Sequence, residues 1–532
     1  MTEATLPRKT VHWADFTAER IINERGEKDL YVCASGITPS GMVHFGNFRE
    51  VITTEFVVRA LKDRGKKVRF IFSWDDFDTF RKVPVNLPRQ EELQKFLFNP
   101  IVDTPDPFGR DESYARHHEV NFEKELQNAG ILIEPVYQAK CYRKGQYSKM
   151  IQHALDNTDK IKAILNQYRE EPLSSEWLPV LIYCEKCNRD RIKKISYNNK
   201  DSLSYECELC NHTGVEKIEN STRIKLPWRV DWPMRWAYEK VDFEPGGKDH
   251  SSEGGSFTTA KSIVKYVFGG NAPIYLQYDF ISIKGMGGKM SSSKGNLVTV
   301  SEVLKIYEPE MIRWIFASYK SNVDFAIGFD AEVIKNYEDF DRLERSVYGL
   351  EPMSEKKRDM NIRVYELSQL VQNEKLGDKC PFQPSFRHLT NLLQIQDGSI
   401  ERTRKYYEKD IVTDRDERRF QQRSQCALNW LNEHAPEEFK FKINKTKTSV
   451  AMDETTQKFI QSLSTLLKNE WDSIKSDNEL HEKIYHLIND FKIEPPLAFK
   501  TIYQMLISKD RGPKLATFIR EIGKEKILAI FN

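Results

Sequence analysis

The sequence has no apolar run near the roughly 18 residues that a membrane-spanning helix needs. Its opening stretch, MTEATLPRKTVHWADF, lacks an apolar signal core. The expectation is therefore a soluble, cytoplasmic protein with no membrane partner. Cysteine is scarce: eight in 532 residues are too few for a disulfide scaffold. A surplus of positive charge is also missing. The 81 Lys+Arg face 79 Asp+Glu, a formal net charge of +2, which excludes a histone-like basic clamp and leaves open an RNA bound by a local basic surface. No repeat at solenoid periods is visible. What is present is an apolar content of 39% with 25 Gly and 22 Pro, enough for true cores and too balanced for disorder or collagen. At about 150 residues per domain, the length implies three or four domains.

Leu30 to Ala34 form a short apolar run ending at Gly36, which reads as a buried parallel strand. A helical pattern follows from about Gly46 to Asp63, with Phe48, Ile52 and Phe56 spaced by four and Gly65 stopping it. Val68 to Trp74 is a second strand. Strand, loop, helix, strand is the βαβ opening of a Rossmann-type sheet. From about Leu87 to Glu219 the pattern is irregular and reads as an insertion, with a helical stretch near Lys149–Arg169. Apolar α/β character returns with Trp228 to Trp236, a helix near Phe257–Phe268 and one strand over Ile274–Ile283. Beyond Leu304 the chain is helical. Ser476 with Glu479 gives a capping-box pattern, and Pro495 and Pro496 end the helix it opens.

Two loops suit phosphate. Pro39-Ser40-Gly41-Met42-Val43-His44-Phe45-Gly46-Asn47 follows a strand and opens a helix, so backbone N–H groups and the positive helix end face an anion. A plain turn with a capped helix is the alternative. Lys284 to Asn296 holds four glycines, three serines and three lysines, a cationic, donor-rich clamp for a polyphosphate or else a solvated linker. A third feature stands on spacing alone. Cys184-x2-Cys187 and Cys207-x2-Cys210 have the zinc-ribbon arrangement, and four thiolates fill a tetrahedral Zn2+ with no open position, which makes the metal structural. Asp103, Asp106, Asp111, His117 and His118 form a weaker cluster, read as a polar loop before a helix.

The His-x-Gly-Asn element and the late Lys-Met-Ser-Ser-Ser element resemble, in order and separation, the two signatures of class I aminoacyl-tRNA synthetases. The stretches HWADF, ASGITPSGMVHFGNFREV, WDDFD, LPWRVDWPMRW, FEPGGKDH and QYDFISIKGMGGKMSSSKGN resemble the class I lysyl-tRNA synthetase family, strongly over residues 12 to 325 and more weakly through the helical tail. The resemblance implies a Rossmann-type α/β catalytic domain with a zinc-binding insertion and a C-terminal α-helical bundle. Its parts are a first catalytic half at 1–88, the insertion at 89–220, a second half at 221–300, a stem-contact linker at 301–354 and an anticodon-binding domain at 355–532. It implies ATP with Mg2+, L-lysine and tRNA(Lys) as partners in two steps, adenylate formation and transfer to the terminal ribose. His44, Asn47 and Lys289 would be catalytic. ATP would meet Pro39, Ser40, Gly41, His44, Gly46 and Asn47 from the first loop, and Lys289, Met290, Ser291, Ser292, Ser293 and Lys294 from the second. The usual loop reads Lys-Met-Ser-Lys-Ser; with Ser292 at its fourth position, either Lys289 alone or Lys289 with Lys294 serves the phosphates.

For the amino acid, the family pattern carries over Gly36 and Thr38 at the α-amino end and Trp228, His250 and Tyr278 around the side chain. Glu50 is a candidate partner of the ε-ammonium, with Asp76 and Asp249 as further candidates. In the tail, Arg511-Gly512-Pro513-Lys514 makes a basic turn, and Tyr503 or Phe518 is a candidate to stack an unpaired base, the alternative being an amphipathic bundle with a charged exterior. The sequence does not reveal an oligomeric state, a monomer being slightly favoured. Two rivals are weaker. The length is wrong for a cytidylyltransferase, and LPWRVDWPMRW followed by GGKDH argues against glutamate or arginine synthetases. A non-catalytic zinc-ribbon RNA-binding protein would leave both phosphate loops unexplained.

Overall fold

Hydrophobic segments too short and too apolar for surface strands pair in parallel at the centre of the first unit. The computed structural model describes residues 9–85, 87–285, 297–372 and 379–532. Helix α1 (Trp13–Arg25) precedes strand β1 (Tyr31–Ile37), helix α2 (Phe45–Lys62) and strand β2 (Val68–Trp74). Strand β3 (Glu134–Tyr137), helix α3 (Trp228–Glu239), strand β4 (Phe243–Gly247) and strand β5 (Ile274–Tyr278) complete the sheet unit. The five strands are parallel in the order β5-β4-β1-β2-β3. The chain therefore moves outward from β1 on one side, then returns and builds outward on the other. The crevice at the carboxyl ends of β1 and β4, where the order reverses, is the place such sheets bind ligands.

β1 is buried from Tyr31 to Ser35, as a central parallel strand must be. It runs on through Gly36 rather than ending there. A Cβ at Gly36 would lie 2.7 Å from the Ser73 carbonyl oxygen, so β1 and β2 approach too closely for any side chain. The helix after β1 buries Phe48, Ile52 and Phe56 against the sheet.

The strand expected over Ile274–Ile283 is broken. β5 stops at Tyr278, and β6 (Ile281–Ile283) pairs instead with β7 (Phe325–Ile327) in a separate two-stranded sheet. The break has a partner: the Asp279 N–H donates to the Ser321 carbonyl at 3.0 Å, pulling the chain out of the first sheet. Arg49 of α2, itself buried, donates to the carbonyls of Lys320 (2.9 Å) and Ser321 (2.7 Å) and so fixes this crossover to the helix that follows β1.

The insertion contains an antiparallel ribbon of Ile192–Tyr197, Ser202–Cys207 and Thr213–Lys217. The helical stretch near Lys149–Arg169 is two helices, Ser148–Asp156 and Thr158–Asn166. The chain divides into two units. The first comprises residues 1–304, 309–327 and 343–377, and the second 305–308, 328–342 and 378–532. The second is helical. Its buried Arg423 is paired with Glu308 at 2.7 Å and Asp341 at 2.8 Å, ion pairs that only mutual compensation makes tolerable in a core. Ser476 caps the helix Asp477–Asp490 by accepting from the Glu479 N–H, while the Glu479 carboxylate reaches the N–H of Lys475 rather than that of Ser476. Pro495 and Pro496 do not end that helix; they open the next, Pro495–Ile507, where a missing N–H costs nothing.

Candidate active site

His44 is the N-cap of α2, at the carboxyl end of β1. Its Nδ1 accepts from the Gly46 N–H at 3.1 Å, and the Asn47 side-chain oxygen accepts from the His44 N–H at 3.1 Å. This reciprocal box satisfies helix-start amides and fixes the imidazole. Because Nδ1 accepts, the neutral ring carries its proton on Nε2, which makes that atom a donor. The capped-helix alternative and the phosphate reading thus describe the same geometry.

A cavity of about 120 Å³ opens at these strand ends, lined among others by His44, Gly46, Asn47, Asp249, His250 and Tyr278. Residues far apart in the chain meet there because β1, β4 and β5 all deliver their carboxyl ends to one edge. Pro39, Ser40 and Gly41 form the turn before α2 and are not among the cavity's lining residues. The Ser40 carbonyl accepts from the Tyr114 hydroxyl at 3.1 Å, which anchors the turn. Lys289, Met290, Ser291, Ser292, Ser293 and Lys294 lie outside the described residues.

Glu50, one turn into α2, bridges three elements. One carboxylate oxygen accepts from the Gly36 N–H of β1 at 2.9 Å and the other from the Tyr278 hydroxyl of β5 at 2.7 Å. Burial, followed by the charges of Glu244 and Asp75, raises its pKa to about 7 even against those two hydrogen bonds. Thr38 donates to Asp78 at 3.0 Å, and Asp78 in turn pairs with the buried Lys225. Trp228 stacks on Trp232 with ring centroids 5.0 Å apart and lies 6.4 Å from the His250 ring. Asp76 is buried and accepts from the Ala139 N–H at 2.7 Å; burial raises its pKa to about 8.

Sequence reasoning quoted WDDFD and LPWRVDWPMRW without giving most of their charged residues a role. Several of those residues join a buried network with neighbouring charges. Arg235 pairs with Asp75 at 2.7 Å and Asp231 at 3.3 Å, and Glu244 accepts from the indole N–H groups of Trp232 and Trp236. Glu50, Asp75, Asp78, Asp231 and Glu244 are five carboxylates set against two cations, Lys225 and Arg235. The signal was in the sequence, as charged residues embedded in apolar stretches, where unpaired burial is costly.

In the ribbon, the Sγ atoms of Cys184 and Cys210, and of Cys187 and Cys207, lie 3.6 Å apart. All four sulfurs fall within 4.8 Å of one another, and none is in a disulfide. Zn–S bonds of about 2.3 Å in a tetrahedron need this spacing, so the four residues fit a zinc ion. Asp106, Asp111 and His117 also cluster. Asp106 is occupied by the N–H groups of Phe108, Arg110 and Asp111, as a turn-forming carboxylate is. No helix among the described residues is long and apolar enough to cross a membrane.

The family described as tRNA synthetases class I (K) has a sequence model that matches residues 11–371. The chain is 46% identical over 519 residues to a lysine–tRNA ligase of Borreliella burgdorferi, covering 97% of this chain and 98% of that one. A lysine–tRNA ligase of Treponema pallidum is 42% identical over 523 residues, 98% of each chain. Another from Thermococcus kodakarensis is 41% identical over 529 residues, 97% of this chain and 98% of its own.

Proposed function

The chain belongs to the class I (K) tRNA synthetases, and on that premise we propose that it activates L-lysine with ATP and esterifies it to tRNA(Lys). In the first step a lysine carboxylate oxygen attacks the α-phosphorus, the bond to pyrophosphate breaks, and lysyl-adenylate forms. In the second a terminal ribose hydroxyl attacks the acyl carbon, AMP leaves, and the hydroxyl proton passes to solvent. No covalent bond to the protein is needed, so the work is positioning and charge stabilisation.

His44 donates from Nε2 to phosphate oxygens at the N-terminus of α2, where the helix end adds its own positive potential. Asn47 holds His44 by its backbone and faces the same cavity. Pro39, Ser40, Gly41 and Gly46 let the nucleotide approach the turn closely. Lys289, with Ser291, Ser292, Ser293 and Lys294 around Met290, takes the charge that develops on pyrophosphate, and ATP brings its Mg2+. The lysine side chain lies against Trp228, His250 and Tyr278 with its ammonium at Glu50, while Gly36 and Thr38 border the α-amino end. Cys184, Cys187, Cys207 and Cys210 hold a structural Zn2+ that cross-links the ribbon. The reading carries with it a cytoplasmic enzyme.

The observation that supports this best is the excess of buried carboxylates over cations beside the start of α2. Buried carboxylates in excess of their cations suit a ligand that brings ammonium groups and disfavour an acidic one. ATP–pyrophosphate exchange, run over the twenty amino acids with tRNA present, tests it. Exchange with lysine alone is expected; exchange with glutamate or arginine, or none at all, overturns it.

A further inference from the structure

Arg49, the neighbour of Glu50 on α2, is a cation only 2% exposed, and its partners are backbone oxygens and ring faces rather than a carboxylate. One terminal nitrogen lies 2.9, 2.7 and 3.3 Å from the carbonyl oxygens of Lys320, Ser321 and Val323. The guanidinium carbon sits 5.6 Å from the Phe316 ring centroid and 5.0 Å from that of Phe325. Burial lowers its pKa, yet only to about 10, so the group stays charged at neutral pH. A buried cation with no carboxylate beside it is a costly way to fill a core, where an apolar side chain of similar volume serves stability better. What the guanidinium adds is direction, because it fixes where three carbonyls of one turn stand.

One of those carbonyls is shared. Ser321 also accepts from the Asp279 N–H at 3.0 Å. Asp279 follows Tyr278, the last residue of β5 to pair with β4, and the Tyr278 hydroxyl donates to Glu50 at 2.7 Å. The contacts close a ring that runs from Arg49 to Ser321, from Ser321 to Asp279, from Tyr278 to Glu50, and back along α2 to Arg49. The nucleotide side of the site has separate anchors. The Phe45 N–H at the start of α2 donates to the Val298 carbonyl at 2.7 Å, and the Lys284 N–H donates to the Ile327 carbonyl at 2.9 Å. Neither bond passes through Arg49.

We infer that Arg49 is a positioning residue for the amino-acid side of the site: by holding the Ser321 carbonyl it sets the end of β5, and with it the place of the Tyr278 hydroxyl on Glu50. Arg49 touches neither substrate and acts through the Tyr278–Glu50 pair. Glu50 is held at both oxygens, by the Gly36 N–H and by Tyr278, so its carboxylate keeps one orientation. Released at one oxygen, the carboxylate has to be ordered by the ligand, which weakens binding. The inference deepens the proposed function and rests on it for the ligand, an alkylammonium met by the Glu50 carboxylate.

The test is ATP–pyrophosphate exchange by the full-length protein with tRNA present, KM being measured separately for lysine and for ATP. Arg49→Met keeps an apolar stem against Phe316 and Phe325 and removes the donors. It is expected to raise the lysine KM about tenfold and the ATP KM by about threefold at most. Tyr278→Phe, which removes the hydroxyl, is expected to raise the lysine KM about tenfold. The double variant decides. If Arg49 acts through that hydroxyl, Arg49→Met adds about threefold at most to Tyr278→Phe, where independent effects would multiply to about a hundredfold. Multiplying effects, an unmoved lysine KM, or equal rises in both KM values overturn the inference, whatever happens to the melting temperature. Should Arg49→Met fail to fold, Arg49→Lys, which keeps a cation without the planar guanidinium, enters the same cycle with the same criteria. A wild type with no lysine-dependent exchange would overturn the functional reading itself, whereas normal wild-type exchange with multiplying effects overturns only the role of Arg49.

Discussion

Replacing Glu50 with Gln removes one charge and keeps a side chain able to accept from Gly36. Burial first and then the charges of Glu244 and Asp75 raise the Glu50 pKa to about 7. Against an ordinary value of 4.5, ionising it in the folded protein costs about 3 kcal/mol, at 1.36 kcal/mol per unit. The sign follows from linkage: the folded state holds this proton more tightly than the unfolded state, so Glu50 takes stability away as pH rises from about 4.5 to 7, and no more above that. An ammonium at the carboxylate reverses the balance and expels the proton. Lysine binding to the tRNA-bound enzyme without ATP should therefore release a proton from most molecules at pH 6 and from few at pH 8.5. The affinity should tighten toward pH 7 and then level. Calorimetry in two buffers of different ionisation enthalpy measures that proton directly. Glu50→Gln should abolish the release, weaken lysine about 10- to 150-fold at pH 8 through loss of a charged hydrogen bond, and raise the melting temperature of the unliganded protein. If the wild type binds lysine with no proton release at pH 6, or the variant binds as well as the wild type, Glu50 does not meet the ammonium.

His44→Ala should lower ATP–pyrophosphate exchange by two to three orders of magnitude and cost about 1 kcal/mol of stability through the lost cap. His44→Asn separates the two, since Asn caps as well as His, and full activity in that variant would reduce His44 to a capping residue. Replacing Cys184 and Cys187 with Ser should bring metal content, by elemental analysis, below one equivalent and harm folding or tRNA charging more than the lysine–ATP chemistry. An unchanged metal content would refute the zinc assignment. Gly36→Ala should destabilise by about 1–3 kcal/mol, because its Cβ would meet Ser73 in the neighbouring strand; an unchanged denaturation midpoint would show that β1 and β2 can separate.

Much of the first sheet could be read locally. Val68–Trp74 is a strand with the bounds its pattern gives, and the helix after β1 differs from its sequence reading by one residue at each end. These elements are specified by periodicity within a few residues, and nothing distant overrides it. The strand over Ile274–Ile283 fails on that criterion. Its apolar pattern is continuous, and what divides it is a hydrogen bond from Asp279 to Ser321, more than forty residues on. The same holds for the charged network. Asp75 finds Arg235, and Asp78 finds Lys225, across some 150 residues of inserted chain, so neither motif alone shows that its charges are compensated. Tyr503 and Phe518 mislead for a related reason: both are buried, and helical spacing alone does not separate a core aromatic from one on the surface.

Local chemistry alone does not make the site, as a second histidine shows. His12 caps α1 with the same reciprocal box: its Nδ1 accepts from the Ala14 N–H, and Asp15 accepts from the His12 N–H. The difference lies at the other nitrogen. His12 Nε2 is 2.9 Å from the Ala317 carbonyl inside the protein, and burial lowers its pKa to about 4, so the ring is a neutral structural tie. His44 has the same cap at the carboxyl end of β1, beside the reversal in strand order, where its ring lines a cavity. Exchanging the two cap residues' partners, with Asn47→Asp and Asp15→Asn, tests this distinction. Both changes preserve a capping acceptor. Asn47→Asp adds a negative charge where ATP phosphates are expected and should depress exchange, whereas Asp15→Asn weakens the ion pair with the buried Arg363 and should lower stability with exchange intact. Equal effects of the two on exchange would mean that the sheet's strand order does not distinguish the two helix starts.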